Sequence, residues 1–360
     1  MRFRTRFWAI ATLPFLALGA CREAPERQGL PNASPSPIPV GSREFAGIAW
    51  PSGNWLVVAF VPKPQDPAAS VEVWRVHPDG RGFRRLPLPD DPRCERTQYL
   101  SPVSLSDGRV GLIKACDLDP HNSPIPTSYS LVAVSPRDGE INPLVTDKML
   151  GYLRSFAAPG LSVSPDKSKA ILSVGNLLCE SLSFVDANGV KYLPIRVGSG
   201  ESSWRLDEYF LSDSRLCTDL GRAGGASWSP DGEAIAFLGS PQSIGVSGVA
   251  RLDAPWNLYV MAPGTWAPHL VLADLTYPSE PSWSPDGRWL TFSGSVEGNG
   301  EGTWLLNLDA GQLKRLTTVP VASPVWSPDG RTIVGIVPVE GPGSKEKLVL
   351  LDASSLLDLR

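Results

Sequence analysis

The pentapeptide Trp-Ser-Pro-Asp-Gly occurs three times in this chain, and this repeat is the feature that most constrains its fold. The copies span residues 228–232, 283–287 and 326–330, so they begin 55 and 43 residues apart. A period of roughly 40 to 50 residues is typical of one four-stranded propeller blade. The residues that define the repeat are Trp228, Asp231, Gly232, Trp283, Asp286, Gly287, Trp326, Asp329 and Gly330.

The pentapeptide has the chemistry of a tight turn between two antiparallel strands. Proline fixes φ at the first central position, aspartate bonds its own backbone, and glycine adopts the left-handed conformation. Apolar and polar residues then alternate, as in residues 288–293, which is typical of a half-buried strand. Each copy therefore predicts a hairpin followed by the second strand of a blade.

Three weaker copies lie upstream, at residues 50–53, 105–108 and 161–166, and a second turn follows every copy by a similar interval. The position before the turn is Trp50, Leu105 or Val163 in these copies, so it requires bulk rather than an indole ring. The tryptophans of the repeat are therefore expected to pack between blades. The sequence predicts an all-β fold, a six-bladed β-propeller of four-stranded antiparallel blades over residues 43–360.

The turn, the Asp-Gly turn downstream of it and the strand Lys314-Arg315-Leu316-Thr317 together resemble the propeller domain of TolB-like proteins. The resemblance covers residues ~45 to 360, with boundaries good to a few residues. It implies a propeller fold, but it assigns no catalytic residue to this chain.

The first residues have the pattern of an export signal. A basic start is followed by an apolar stretch over residues 7–20, which is short for a membrane span. The sequence Leu-Gly-Ala-Cys at residues 18–21 resembles a bacterial lipobox, so residues 1–20 are expected to be a signal peptide and Cys21 a lipidated residue. The alternative is an ordinary signal peptide. Residues 21–42 are rich in proline and serine, which predicts a semi-extended tether to the bacterial cell envelope.

Export would place the remaining four cysteines in an oxidising compartment. In the predicted strand order, Cys94 and Cys116 fall on the same face of the propeller, and so do Cys179 and Cys217. We expect these two disulfides, with free thiols as the alternative.

The connections between strands are unequal in length at the two ends of the predicted propeller. One end has only tight turns, and the other has long loops, of which residues 198–225 form the longest. Long loops on a rigid scaffold commonly carry function. Trp204, Arg205, Tyr209 and Phe210 within that loop are candidate partner-binding residues, unless they fold the loop back onto the rim.

The sequence contains little that indicates catalysis. It has no Gly-x-Ser-x-Gly motif, three histidines and no His-Glu-x-x-His motif. Oxygen ligands cluster at residues 117–122, a weak indication of calcium, but the glycine and distal glutamate of an EF-hand loop are missing. No cofactor or metal is therefore expected.

Taken together, these features predict a non-catalytic, lipid-anchored propeller outside the cytoplasm that binds a protein, peptide or glycan through its long-loop face. The alternatives are a hydrolase or lyase that uses the central channel and a structural spacer. The formal net charge of −4 argues against nucleic acid as a partner. Residues 356–360 are expected to close the ring as an outer strand, with the segment near residues 38–40 as the alternative.

Overall fold

A computed structural model describes residues 33–51, 53–61, 70–118, 128–150, 159–176, 179–193, 222–240, 255–264, 267–339 and 345–354. These residues form an all-β propeller of antiparallel sheets. Within these ranges, no helix has the length and apolar character needed to cross a bilayer.

The first three sheets have four strands each, joined in chain order. The first contains β2 (Glu44–Ala49), β3 (Leu56–Val61), β4 (Glu72–Val76) and β5 (Arg84–Arg85). The second contains β6 (Arg96–Ser104), β7 (Val110–Asp117), β8 (Ser128–Val134) and β9 (Ile141–Pro143). The third contains β10 (Gly160–Val163), β11 (Ala170–Asn176), β12 (Cys179–Asp186) and β13 (Gly189–Leu193).

The next sheet has eight strands and consists of two successive halves. The first half is β14 (Arg222–Trp228), β15 (Ile235–Ser240), β16 (Trp256–Met261) and β17 (Pro268–Thr276). The second half is β18 (Ser282–Trp283), β19 (Trp289–Val296), β20 (Gly300–Asn307) and β21 (Gln312–Thr317). The last sheet contains β22 (Ala322–Trp326), β23 (Thr332–Pro338) and β24 (Glu346–Asp352), with β1 (Ser36–Pro37) at its outer edge.

Each pentapeptide forms the turn that its residues predict. In the copy at residues 228–232, the Ser229 hydroxyl donates to Asp231 and accepts the backbone N–H of Ala234 at 2.8 Å. Gly232 has φ +76°, the left-handed region in which a side chain would be strained. The turn at residues 164–167 repeats these bonds, and the Ser164 hydroxyl lowers the pKa of Asp166 to about 2.

The core lies between neighbouring sheets. In the described residues, five apolar clusters join neighbouring sheets in chain order, from the first sheet through both halves of the eight-stranded sheet to the last sheet. One cluster joins the last sheet to the first, with Val334 and Leu348 packed among Phe45, Ile48 and Phe60. The sheets therefore close into a ring.

The N-terminal segment completes the last sheet, so the expectation that residues 356–360 would do this is wrong. Ser36 and Pro37 pair with Leu350 and Val349, and the N–H of Ile38 donates to Leu348 O at 2.9 Å. Residues 355–360 lie outside the described part of the chain. The position beside β24 is already filled, because burial of Ile38 and Val40 fixes the N-terminal segment there. Part of the segment expected to be tether, residues 33–42, thus belongs to the propeller.

Candidate functional site

The innermost strands enclose a cavity of about 680 Å³ along the centre of the ring. Six chain segments line it, and they are the inner strands β2, β6, β10, β14, β18 and β22 with the turns that follow them. This volume lies within the range of roughly 300 to 1,000 Å³ that is usual for ligand sites. The cavity is therefore large enough to hold a small ligand.

Irregular backbone shapes the cavity. The register of four inner strands shifts, between Phe45 and Gly47, Leu100 and Val103, Gly224 and Ser227, and Ala322 and Val325. These bulges hold Ser101 at φ +53° and Ser323 at φ +47°, and both serines line the cavity. A bulge redirects side chains, which explains how residues outside the regular alternation come to face the channel.

The lining is polar but almost uncharged. It contains nine serines and four tryptophans, and Glu280 is its single ionisable residue among those the structure describes. Trp228, Trp283 and Trp326 are less than 10% exposed, and the indole N–H groups of the last two donate to Ser227 O and Ser282 O. The tryptophans of the repeat therefore pack against neighbouring inner strands at the cavity wall.

A second concave region lies on the second sheet, at the end where β7 stops and β8 begins. We call this region the blade-2 groove; it consists of two adjoining cavities of about 590 and 170 Å³ that share Asp91, Arg93, Lys114 and Ser130. Leu118 and Met149 line the smaller cavity and are 53% and 58% exposed. By strand direction, this is the end of the propeller where the long connections lie, the long-loop face.

Covalent and ionic links hold the blade-2 groove in place. A disulfide joins Cys94 to Cys116 with their Cα atoms 5.4 Å apart, and this is the first of the two pairings expected from the sequence. The buried Asp91 carboxylate accepts hydrogen bonds from Arg93 and Lys114, both at 2.8 Å, and these bonds hold its pKa well below the usual range. Burial raises the pKa of Tyr99, which lines the larger cavity, to about 12.

Several residues singled out in the sequence lie outside the described part of the chain. They include Cys21, the candidate partner-binding residues Trp204, Arg205, Tyr209 and Phe210, and Cys217. Of the oxygen ligands considered for calcium, residues 119–122 are also outside it, while Asp117 is paired with Arg96 at 2.6 Å. No group of three or more His, Cys, Asp or Glu side chains able to hold a metal occurs within the described ranges.

Sequence reasoning missed the residues that line the channel, Glu280, Ser282 and Ser323 among them. Each lies just before a repeat turn, at the positions one to three residues before the tryptophan. These positions relative to the tryptophan could be read from the sequence, but only the closed ring shows that they share one cavity.

The fold and its central cavity define the chain as an all-β propeller. It is similar in structure to TolB from Acinetobacter baumannii, with a TM-score of 0.52 and 15% sequence identity over 81% of this chain and 63% of that one. The chain thus spans less than two thirds of that protein's length. A putative TolB from Agrobacterium tumefaciens has a TM-score of 0.45 and 17% identity, covering 72% of this chain and 78% of that one.

An oligogalacturonate lyase in complex with manganese has a TM-score of 0.49 and 11% identity, covering 91% of this chain and all of that one. Comparison with protein-family models and with curated protein sequences finds no match. At these identities the structural likeness concerns the fold alone.

Proposed function

We propose that this chain is a non-catalytic binding propeller of the bacterial cell envelope, which recognises a protein or peptide partner through its long-loop face. The observation that carries this proposal is the blade-2 groove, where two of the large exposed apolar side chains, Leu118 and Met149, line one small cavity. Clustered exposed apolar groups beside polar ones are typical of a protein-binding surface.

The blade-2 groove is also preorganised, which favours binding. The disulfide attaches the connection that precedes β6 to the end of β7. The ion pair between Lys114 and Asp91 attaches the same connection to the middle of β7. A partner that docks here need not order this connection, so less conformational entropy is lost on binding. Exposed apolar side chains on such a rigid base can act as anchors for a partner.

The test is a cross-linking capture from cell envelopes with the full chain and a Leu118→Ser/Met149→Ser variant. Leu270→Ser is the matched control, because Leu270 is 56% exposed but lies on β17, away from the blade-2 groove. We expect one partner that the double variant loses and the control keeps. Equal capture by all three proteins would contradict the proposal for this groove.

A further variant, with residues 200–222 replaced by a short Gly-Ser loop, tests the candidate residues Trp204, Arg205, Tyr209 and Phe210. Loss of the same partner would extend the site to that loop. Unchanged capture would confine it to the blade-2 groove.

The proposal includes a lipid anchor on Cys21, supported by the lipobox-like sequence at residues 18–21. Mass spectrometry of the mature protein should find a diacylglyceryl group on Cys21, and Cys21→Ser should release the protein from the membrane fraction. An unmodified N-terminus would contradict the anchor.

We also infer that the ring has six blades, with the eight-stranded sheet counted as two. Its halves are joined through only two residue pairs, Leu275 with Val296 and Thr276 with Ser295, whereas β19 and β20 within the second half share eight. An experimental density map viewed along the channel should show six spokes; any other number would contradict this count.

A further inference from the structure

Three serine hydroxyls that line the channel form no hydrogen bond within the described structure. They belong to Ser227, Ser282 and Ser323, which are half-buried and lie on the successive inner strands β14, β18 and β22. The hydroxyls of the other six lining serines are all engaged, for example that of Ser106 with Pro165 O and that of Ser162 with the N–H of Trp228. Available hydroxyls are thus confined to one sector of the channel.

The backbone of this sector is held in place. Ser227 O accepts the indole N–H of Trp283 at 3.0 Å, and Ser282 O accepts that of Trp326 at 3.3 Å. These bonds fix the main chain of both serines while leaving their hydroxyl groups available. A polar group that is held in position but has no partner is prepared to bind a ligand.

Glu280 lines the same channel, its carboxylate reaches toward Gly160 on β10, and two glycines make room for it. Glu280 immediately precedes β18, and a Cβ atom on Gly225 would lie 3.1 Å from its Cγ. A Cβ atom on Gly160 would lie 3.4 Å from its Oε1. The side chain therefore extends along the inner strands of the two preceding sheet units, where larger residues would crowd it.

An exposed aromatic ring stands three residues before Glu280, on the connection from β17 to β18. Tyr277 is 91% exposed and has φ +50°, a conformation that is costly for an aromatic residue. The faces of an aromatic ring are apolar while the tyrosine hydroxyl is polar. Tyr277 is not among the described residues that line the cavity, so its ring is not counted among the groups that would contact a ligand there.

We propose that the part of the channel lined by Ser227, Glu280, Ser282 and Ser323 is a binding site for a neutral saccharide. Hydroxyl groups both donate and accept, so three serines complement the hydroxyls of a sugar, and a carboxylate accepts from two adjacent sugar hydroxyls. A ligand with a lysine or arginine side chain should bind less well, because this part of the channel supplies one carboxylate and otherwise neutral groups. The walls of tryptophan and proline supply the apolar surface that the faces of a sugar ring need.

The experiment is a titration of the full chain with glucose, galactose, mannose, N-acetylglucosamine, cellobiose and maltose, followed by saturation-transfer NMR and calorimetry. We expect saturable binding of at least one of them. Glu280→Gln and Ser227→Ala/Ser282→Ala should each weaken that binding about tenfold or more, because each removes hydrogen bonds to the ligand. Gly160→Ala should also weaken it by crowding the carboxylate.

Ser106→Ala is the matched control, since Ser106 lines the same cavity but its hydroxyl already donates to Pro165 O. It should leave the affinity unchanged, and thermal unfolding should show that every variant remains folded. The proposal is overturned if no saccharide binds at 10 mM or below, on the order of the weakest useful affinities. It is also overturned if Ser106→Ala weakens binding as much as Glu280→Gln.

A cationic ligand is the competing outcome, and putrescine and a Gly-Lys-Gly amide peptide test it in parallel. If these bind through Glu280 and the sugars do not, the saccharide proposal is wrong. The saccharide site is independent of the partner surface proposed above. The Leu118→Ser/Met149→Ser variant should keep its saccharide affinity, so either proposal can fail alone.

Discussion

The turns of the C-terminal half and the upstream turn at residues 164–167 form the same hydrogen bonds, but the two halves of the chain differ in what joins neighbouring sheets. In the C-terminal half, Trp283 and Trp326 donate hydrogen bonds to the preceding inner strands, and Gly287 and Gly330 adopt left-handed conformations. The upstream turn at residues 164–167 keeps the serine and aspartate bonds but has Lys167 at φ +61°. A turn can therefore lose its tryptophan and glycine and still form.

Other interactions join the N-terminal sheets where the repeat is degenerate. Asp107 lies two residues after Leu105, in the weak copy of the turn at residues 105–108. Its carboxylate forms ion pairs with Arg109 in the same turn and with Lys167 of the next sheet, the latter at 2.7 Å. The disulfide between Cys94 and Cys116 ties the connection that arrives from the first sheet to β7 of the second sheet. The comparison shows that the repeat specifies hairpins, whereas the connections around a ring can use different chemistry from place to place.

The largest effect is expected from breaking the buried ion pair between Arg96 and Asp117 in the second sheet. Asp117 is 1% exposed and lies 2.6 Å from Arg96. Asp117→Asn would remove the carboxylate charge from this nearly buried ion pair, so we expect a loss of about 3–5 kcal/mol in the free energy of unfolding, measured by urea denaturation. The exposed pair Asp79–Arg81 is the control, and Asp79→Asn should change stability little. Similar losses in both variants would contradict this view of the second sheet.

Removing the disulfide should have the next largest effect. The bond closes a loop with a sequence separation of 22, so Cys94→Ser/Cys116→Ser should cost about 2–4 kcal/mol by urea denaturation. A reducing agent added to this double variant sharpens the test. A further loss of stability would indicate the second expected pair, Cys179 with Cys217, and no further loss would argue for free thiols there.

A smaller effect separates the two kinds of tryptophan at the repeat position. The indole N–H of Trp283 donates at 3.0 Å, whereas that of Trp228 is buried without a partner in the described structure. Substitution by phenylalanine removes the same volume at both positions, but only Trp283→Phe also removes a hydrogen bond. Trp283→Phe should therefore lower the free energy of unfolding by about 1 kcal/mol more than Trp228→Phe. Equal melting temperatures for the two variants would show that only bulk matters at this position.

The smallest effect tests the turn itself. Lys167→Gly should raise stability by about 0.5–1 kcal/mol, because glycine relieves the left-handed strain. Gly232→Ala should lower it by about 1 kcal/mol, since its Cβ would be strained and would lie 3.3 Å from Pro165 Cδ. Lys167→Ala is the control, because it removes the ion pair with Asp107 but keeps the strain. A gain in that variant would mean that the ion pair, rather than φ, is unfavourable.

Much of the fold could be predicted from local chemistry. The serine, proline, aspartate and glycine of each turn act within five residues, so the sequence shows the hairpins directly. The pairing of Cys94 with Cys116 also followed, because strand alternation places both at the same end of the second sheet.

The closure of the ring was harder to predict. The two competing segments, the one near residues 38–40 and residues 356–360, are both short and neither has a strong strand pattern. The choice depends on which one buries apolar side chains against β24, and Ile38 and Val40 do so. No window of sequence contains that comparison.

The sequence by itself determined the hairpins, the blade period and the separation of short turns from long connections, because each depends on residues that are neighbours in the chain. Only the tertiary structure decided which segment closes the last sheet and which side chains meet at the centre. Ser227, Glu280, Ser282 and Ser323 come from three separate segments and share one cavity only because the ring closes. Contacts of that kind depend on how whole sheets pack, which local sequence patterns do not encode.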